Sequence, residues 1–216
     1  MNILIVYAHP EPQSLNGSMY RTAIAHLNNL GHQVKTSDLY TMQFNPVSDR
    51  KNFTTVTNPD YFKQQPEELY ATQTNGFAEE ITAEQEKVEW CDLIIFQFPL
   101  WWFGLPAILK GWVDRVFAMG RFYNNGRIYE NGIFKGKLAL LSLTAGGPEK
   151  NYNKDLYGEI ESILKPIHRG IFEFTGWSVL KPQVIYAVER RSVEDLAEEL
   201  EKWKSRLEIV FEEEIM

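Results

Sequence analysis

Apolar positions along this chain follow two different periods. Asn2 to Ala8 is continuously apolar, as in a strand buried on both faces. Leu15, Met19, Ala23 and Leu27 instead recur every fourth position, which predicts a helix capped at its start by Ser14 and closed by Gly31. Gln33 to Leu39 reads as a second strand with Val34 central. Ile81 to Trp90 reads as a short helix including Val88, and Asp92 to Phe98 as a third buried strand. Pro106 opens another helix, where its missing N–H costs nothing. Ile108, Trp112 and Val116 line one face of it, widened by Leu109, Val113 and Phe117. Lys137 to Thr144 is a fourth strand. Leu156 to Leu164 is a helix that Pro166 ends or interrupts. Ser178 to Ala187 is a fifth strand, broken near Pro182 and so suited to an edge. Ser192 to Glu214 is a long acidic helix with Leu196, Leu200, Trp203, Leu207 and Val210 inward.

Tyr40 to Thr72 fits neither period. It is rich in Asn, Gln, Thr and Pro and too long for a plain connector. The expectation is an ordered surface excursion at about 40–75 that carries binding residues, within one domain spanning 1–216.

Five apolar strands alternating with helices predict an α/β fold, a parallel sheet with helices on both faces. In such a sheet ligands bind beyond the carboxyl ends of the strands. That singles out His9 to Asn16, Pro99 to Leu105 and Thr144 to Tyr157.

The middle stretch, FQFPLWWFGLPAILKGW (Phe96 to Trp112), carries a single charge, Lys110. Leu93 to Leu109 has none and approaches the roughly 20 apolar residues of a membrane span. Gln97, Pro99, Gly104 and Pro106 break it into a strand, a bend and a helix instead. The 216 residues are 44% hydrophobic and 24% charged, with net charge −7, which argues against bulk binding to nucleic acid or an anionic membrane. One cysteine, Cys91, allows no internal disulfide and suits a reducing, cytoplasmic setting. The first residues lack the basic flank and long apolar core of a signal peptide. His9, His26, His32 and His168 show no metal-ligand spacing, and no G-x-S-x-G elbow occurs.

Each strand-end loop has two readings. Ser14, Asn16, Gly17 and Ser18 cap a helix, or their donors hold a phosphate at its positive end, with His9 nearby. Trp101, Trp102 and Phe103 pack, or they offer a flat surface to a planar ligand, since three successive side chains cannot all point inward. Thr144-Ala145-Gly146-Gly147 is a tight turn, or a place where backbone N–H groups approach a ring edge and glycine permits positive φ. Tyr152 and Tyr157 follow as possible acid groups.

Three segments together resemble the NAD(P)H:quinone oxidoreductases of the flavodoxin-like fold. They are His9-Pro10-Glu11-Pro12 with Ser14-Leu15-Asn16, Phe96 to Trp112, and Thr144 to Gly147. The Pro66-Glu67-Glu68 region and Phe172 to Pro182 also follow that pattern. The resemblance implies five strands in the order 2-1-3-4-5, a bound flavin, a homodimer, and ping-pong two-electron reduction of quinones by NADH or NADPH. FAD is favoured because the excursion is present, with FMN as the alternative. By position, Trp102 and Phe103 would border the flavin ring, Pro99, Leu100 and Trp101 would add contacts beside them, and Thr144, Ala145, Gly146 and Gly147 would meet its polar edge. His9, Ser14, Leu15, Asn16 and Gln64 would hold the nucleotide end. Tyr152 matches the family's relay tyrosine, and Tyr157 falls at its histidine, a poorer acid at neutral pH. Tyr123 matches one of two gating tyrosines, with Asn125 at the other. Leu196 stands where an arginine touches adenine, and Arg190 or Arg191 is the candidate substitute. The chain stops soon after the acidic helix, so a C-terminal extension known in animal members is expected to be absent. An alternative role is that of a flavin-binding ancillary subunit, peripheral at a potassium-efflux antiporter in the membrane.

Overall fold

The computed structural model describes residues 1–216. Its strands are β1 (Asn2–Tyr7), β2 (Gln33–Asp38), β3 (Leu93–Pro99), β4 (Leu138–Ala145), β5 (Ser178–Val179) and β6 (Gln183–Tyr186). Its helices are α1 (Leu15–Asn29), α2 (Gln64–Thr74), α3 (Glu79–Trp90), α4 (Ala107–Val116), α5 (Ile160–Ile167) and α6 (Val193–Glu208). The sheet runs β2-β1-β3-β4-β5, with β6 also on β4, and every pairing is parallel. The expected fifth strand is thus two short ones on the same edge. Pro182 lies between them, where the ladder lacks an N–H to donate.

Alternation along each strand feeds two cores. Leu4, Val6, Ile94 and Phe96 pack with Ile81 and Val88 of α3, Trp112 of α4 and Leu164 of α5. Ile3, Ile5, Leu93 and Ile95 pack with Met19 and Ala23 of α1 and Trp203 and Leu207 of α6. Trp203 also donates from Nε1 to the Met19 carbonyl (3.2 Å), tying α6 to α1. Cys91 is buried, and burial pushes its thiol up to about 12. It should therefore resist a disulfide-exchange reagent in the native protein and react fully in urea. Rapid native labelling would contradict its placement.

The excursion contains a helix, α2, that its residue pattern hides. The buried positions of α2 are Glu67, Glu68 and Ala71 rather than an apolar stripe. Glu67 accepts the Thr57 N–H (2.8 Å) and Glu68 the Met119 N–H (2.7 Å), so tertiary hydrogen bonds replace the periodic signal. The excursion is pinned to α4. Arg115, itself buried, donates to Asn52 Oδ1 (2.6 Å) and the Asn45 carbonyl (2.7 Å). Gly111 lets Pro46 close in, since a Cβ there would stand 2.2 Å from the Pro46 oxygen.

Two helix boundaries differ from the sequence expectation. Residues 153–158 turn tightly, and Gly158 sits at φ +85, so the helix expected from Leu156 starts at Ile160. It then runs through Pro166 and widens into a π-helical turn, His168–Glu173. Pro166 has no N–H for the residue 162 carbonyl, and the widened turn follows directly after it. The last helix starts as expected. Ser192 accepts the Asp195 N–H (3.1 Å) in a capping box. It ends at Glu208 rather than Glu214, and Val210 packs from the turns beyond it. No helix is long and apolar enough to cross a membrane.

Candidate active site

A cleft of about 730 Å³ lies beyond the carboxyl ends of β1, β3 and β4, and His9, Ser14, Leu15, Asn16, Pro99, Leu100, Trp101, Trp102, Thr144, Ala145 and Gly146 line it. All three strand-end loops meet there because β1 and β3 are neighbours and β4 follows β3. α1 leaves β1 at the point where strand order reverses, so its N-terminus opens into the cleft. Ser14 Oγ accepts the Gly17 N–H (3.1 Å). The N–H groups of Leu15 and Asn16, in the first turn, lack intrahelical acceptors and remain available. The capping reading of this loop holds at Ser14, and two first-turn donors are left over.

His9 Nδ1 lies 3.0 Å from the Glu11 nitrogen and 3.1 Å from the Glu11 carbonyl oxygen, so it accepts from the one or donates to the other according to the tautomer. Burial holds His9 below the usual histidine value. At neutral pH the ring is therefore uncharged beside Trp101, ring centroids 6.0 Å apart.

The aromatic loop is strained and exposed. Trp102 (φ 51) and Phe103 (φ 58) both occupy the left-handed region. This conformation costs a non-glycine residue about 1–2 kcal/mol. Trp102 is 98% exposed. Phe103 is half-exposed and rests on Tyr157, but the Trp102 side chain gains no packing within the chain to offset its strain. Leu100 N–H donates to the Thr144 carbonyl (2.8 Å), joining this loop to the next.

Neither Gly146 nor Gly147 adopts positive φ, contrary to one use expected of them. Their value is spatial. A Cβ on Gly146 would meet nothing within 4 Å and would project into open space, whereas one on Gly147 would stand 2.8 Å from Tyr157 Cε2. Gly147 thereby lets the tyrosines close over the loop. Tyr157 contacts Phe103 (5.9 Å between centroids) and Tyr152 (5.4 Å), and Tyr152 contacts Tyr186 (5.1 Å). Burial, then the neighbouring Tyr157, raises the Tyr152 phenol, so it stays a donor across the neutral range.

A family model described as the flavodoxin-like fold matches residues 1–207. The ribosyldihydronicotinamide dehydrogenase (quinone) of Homo sapiens is 42% identical over 214 residues, 98% of this chain and 93% of that protein. NAD(P)H dehydrogenase (quinone) 1 of Cavia porcellus is 42% identical over 212 residues, 97% of this chain and 77% of that protein. A solved Klebsiella pneumoniae structure described as a quinone reductase superposes with TM-score 0.93 at 37% identity, covering 100% of this chain and 86% of that one. The chain belongs to the NAD(P)H:quinone oxidoreductase family. It is an enzyme of that family, on the family's flavodoxin-like fold.

Not every residue expected at the oxidoreductase's site lies in the cleft. Phe103, Gly147, Tyr152 and Tyr157 do not line it: Phe103 lines a neighbouring pocket of about 530 Å³ with Leu105, Lys110 and Ile167, and Gly147, Tyr152 and Tyr157 contact one another beside Gly146. Gln64 and Tyr123 do not line the cleft either. They share a separate slot of about 290 Å³ with Gln65, Glu68, Phe117 and Phe174. Gln65 Nε2 donates to Tyr123 Oη there (3.4 Å), and Gln64 Nε2 to Glu68 Oε1 (2.9 Å). Arg191 is committed elsewhere, to Glu199 (3.0 Å) and the Tyr186 carbonyl (2.9 Å).

Sequence reading missed three residues of the site. Val188 and Glu189 line the cleft from the turn after β6. The signal was present: this turn too is a strand-end loop, but the broken strand obscured where it ended. Gln97, the third, sits beneath the cleft inside β3, where the apolar run around it suggested only core.

Proposed function

We propose that this protein is a flavin-dependent NAD(P)H:quinone oxidoreductase that reduces quinones by two electrons in a ping-pong cycle. FAD is the preferred occupant of the cleft and FMN the alternative. One observation carries the reading: exposed aromatics at Trp101–Phe103, strained at Trp102 and Phe103, stand beside a strand-end loop, Thr144–Gly147, where Gly146 leaves open space. A flat ring with a polar edge fits between those two surfaces. A bound flavin supplies hydride acceptance and donation, chemistry that no side chain here offers.

The chain's own part is to bind, orient and supply protons. Leu15 and Asn16 N–H groups, with Ser14 and His9, hold the nucleotide end at the positive end of α1. Trp102 and Phe103 border the ring and shield it from water. Thr144 and the backbone from Ala145 to Gly147 donate toward its polar edge, where negative charge develops on reduction. Tyr152 and Tyr157 donate hydrogen bonds at the margin of the same face.

The separate placement of Gln64 and Tyr123 supports a homodimer, in which a second copy brings this slot to the cleft. NADH and NADPH are the expected donors. The names of the ribosyldihydronicotinamide dehydrogenases favour a further one, a dihydronicotinamide lacking the adenine nucleotide, because those relatives match at 42–43% identity over 93% of their length. The protein is expected to act in the cytoplasm.

The test is to purify the protein, release and weigh its cofactor, and assay menadione reduction with NADH, NADPH and ribosyldihydronicotinamide. Bound FAD or FMN with turnover by at least one donor is the expected result. Protein that takes up neither flavin overturns the reading. Trp102→Ala should weaken flavin binding about tenfold, the scale of a lost stacking contact. Its exposure predicts little change in the stability of the apoprotein. Unaltered flavin affinity would remove Trp102 from the site.

A further inference from the structure

Gln97, Asn16 and Thr144 form a buried polar row under the cleft, on the sheet face that α1 covers. Gln97 is 1% exposed and Asn16 3%. Gln97 Nε2 donates to Asn16 Oδ1 (2.7 Å), and Asn16 Nδ2 donates to Thr144 Oγ1 (2.7 Å). Each residue comes from a different element: β3, α1 and β4. Pro99 and Thr144 are register partners, and Gln97 pairs with Ser142, so Gln97 and Thr144 point to the same face.

The direction of this row is set at Gln97, whose Nε2 also faces Met19 Sδ (3.8 Å), a weak acceptor that favours the amide nitrogen on this side. An amide side chain has one accepting and one donating end. Because Gln97 presents N–H, Asn16 must turn its oxygen toward Gln97 and its NH₂ toward Thr144. The Thr144 oxygen then accepts, and Asn16 offers that hydroxyl nothing to donate to. The Thr144 carbonyl is occupied separately, by Leu100 N–H. Thr144 lines the cleft, so its O–H proton is free to point there.

We infer that Gln97 is a positioning residue that sets the polarity of the Gln97–Asn16–Thr144 row and makes Thr144 an obligate hydrogen-bond donor to the cofactor. This rests on the flavin reading above and deepens it. Gln97 touches no ligand itself. Without its N–H, the Asn16 amide can rotate end for end, accept the Thr144 proton, and leave a lone pair facing the acceptor atoms of the cofactor. Discrimination follows as well, because the site then favours ligands presenting an acceptor at Thr144 over ligands presenting a donor.

The test is a double-mutant cycle read by titrating flavin into apoprotein and following fluorescence quenching, independent of turnover. Gln97→Met keeps the shape and removes the donor. Thr144→Val keeps the shape and removes the hydroxyl. Each alone should weaken flavin binding about tenfold, the net value of one well-placed hydrogen bond. In the Thr144→Val background, Gln97→Met should add less than twofold, since no proton remains to orient. Thr144→Ser restores the hydroxyl and should restore the tenfold effect of Gln97→Met, a rescue that general destabilisation of the strand end would not produce. Equal effects of Gln97→Met in the wild-type and Thr144→Val backgrounds overturn the relay. Thr144→Val with undiminished affinity overturns it too, even if Gln97→Met does not fold. Wild-type apoprotein that binds no flavin overturns the functional reading instead, and with it the relay's purpose.

Discussion

Gly17→Ala is expected to lower flavin affinity at least thirtyfold while leaving the sheet folded. Gly17 lies in the first turn of α1 and is buried. A Cβ there would stand 2.1 Å from the Pro12 carbonyl oxygen and 3.1 Å from the Tyr7 hydroxyl. Helix propensity alone favours alanine over glycine by about 1 kcal/mol. The overlap outweighs it, because the nearest atoms are backbone and cannot rotate away. The Arg21 guanidinium also holds the Pro12 carbonyl in place. The loop from His9 to Ser14 must therefore lift from α1, moving His9 and the Ser14 cap together. Overpacking of this kind typically costs about 1–3 kcal/mol of stability. Calorimetry of apoprotein and flavin titration separate the two effects. Flavin affinity within threefold of wild type would show that the loop tolerates the methyl group and that its contact with α1 does not shape the cleft.

Glu84→Leu should cost about 3–5 kcal/mol, the range for removing one partner of a buried charge pair. The Glu84 carboxylate is 1% exposed and accepts from Ser37 Oγ (2.5 Å), Trp112 Nε1 (2.8 Å) and Lys87 Nζ (2.6 Å). It thereby joins β2, α3 and α4, and α4 stands directly behind the aromatic loop. Leucine fills the volume but strands a lysine and an indole N–H. Lys87 keeps its contacts to the Thr36 carbonyl (3.0 Å) and Ser37 Oγ (3.1 Å), which soften the loss without removing it. Urea unfolding would show a lower midpoint at unchanged slope. Adding Lys87→Met should recover much of the loss, since the uncompensated charge is then gone. A drop below about 1 kcal/mol would mean that the network contributes little.

The cleft was legible in the sequence to the extent that its residues sit at strand ends. His9 to Asn16, Pro99 to Phe103 and Thr144 to Gly147 are contiguous, and a parallel sheet must bring such loops to one edge. Val188 and Glu189 were not legible, because Pro182 splits the strand before them and hides its end. α2 was hidden for a related reason: two of its three buried positions, Glu67 and Glu68, are carboxylates satisfied by Thr57, Asn58 and Met119, and a hydrophobic period cannot register buried charge. The start of α5 depended on a left-handed turn at Gly158, a conformation set by the packing of the loop around it.

By itself, the sequence determined the alternation of strands and helices apart from α2 and the split last strand, the inward faces of the amphipathic helices, and the three strand-end loops that meet at the cleft. Those follow from local periods of two and 3.6 residues and from the chain's need to bury its apolar faces. Only the tertiary structure decided the direction of the Gln97–Asn16–Thr144 row, the left-handed strain at Trp102 and Phe103, and the separation of Gln64 and Tyr123 from the cleft. Each of these depends on which donor meets which acceptor across elements far apart in the chain, and hydrogen-bond direction leaves no periodic trace in sequence.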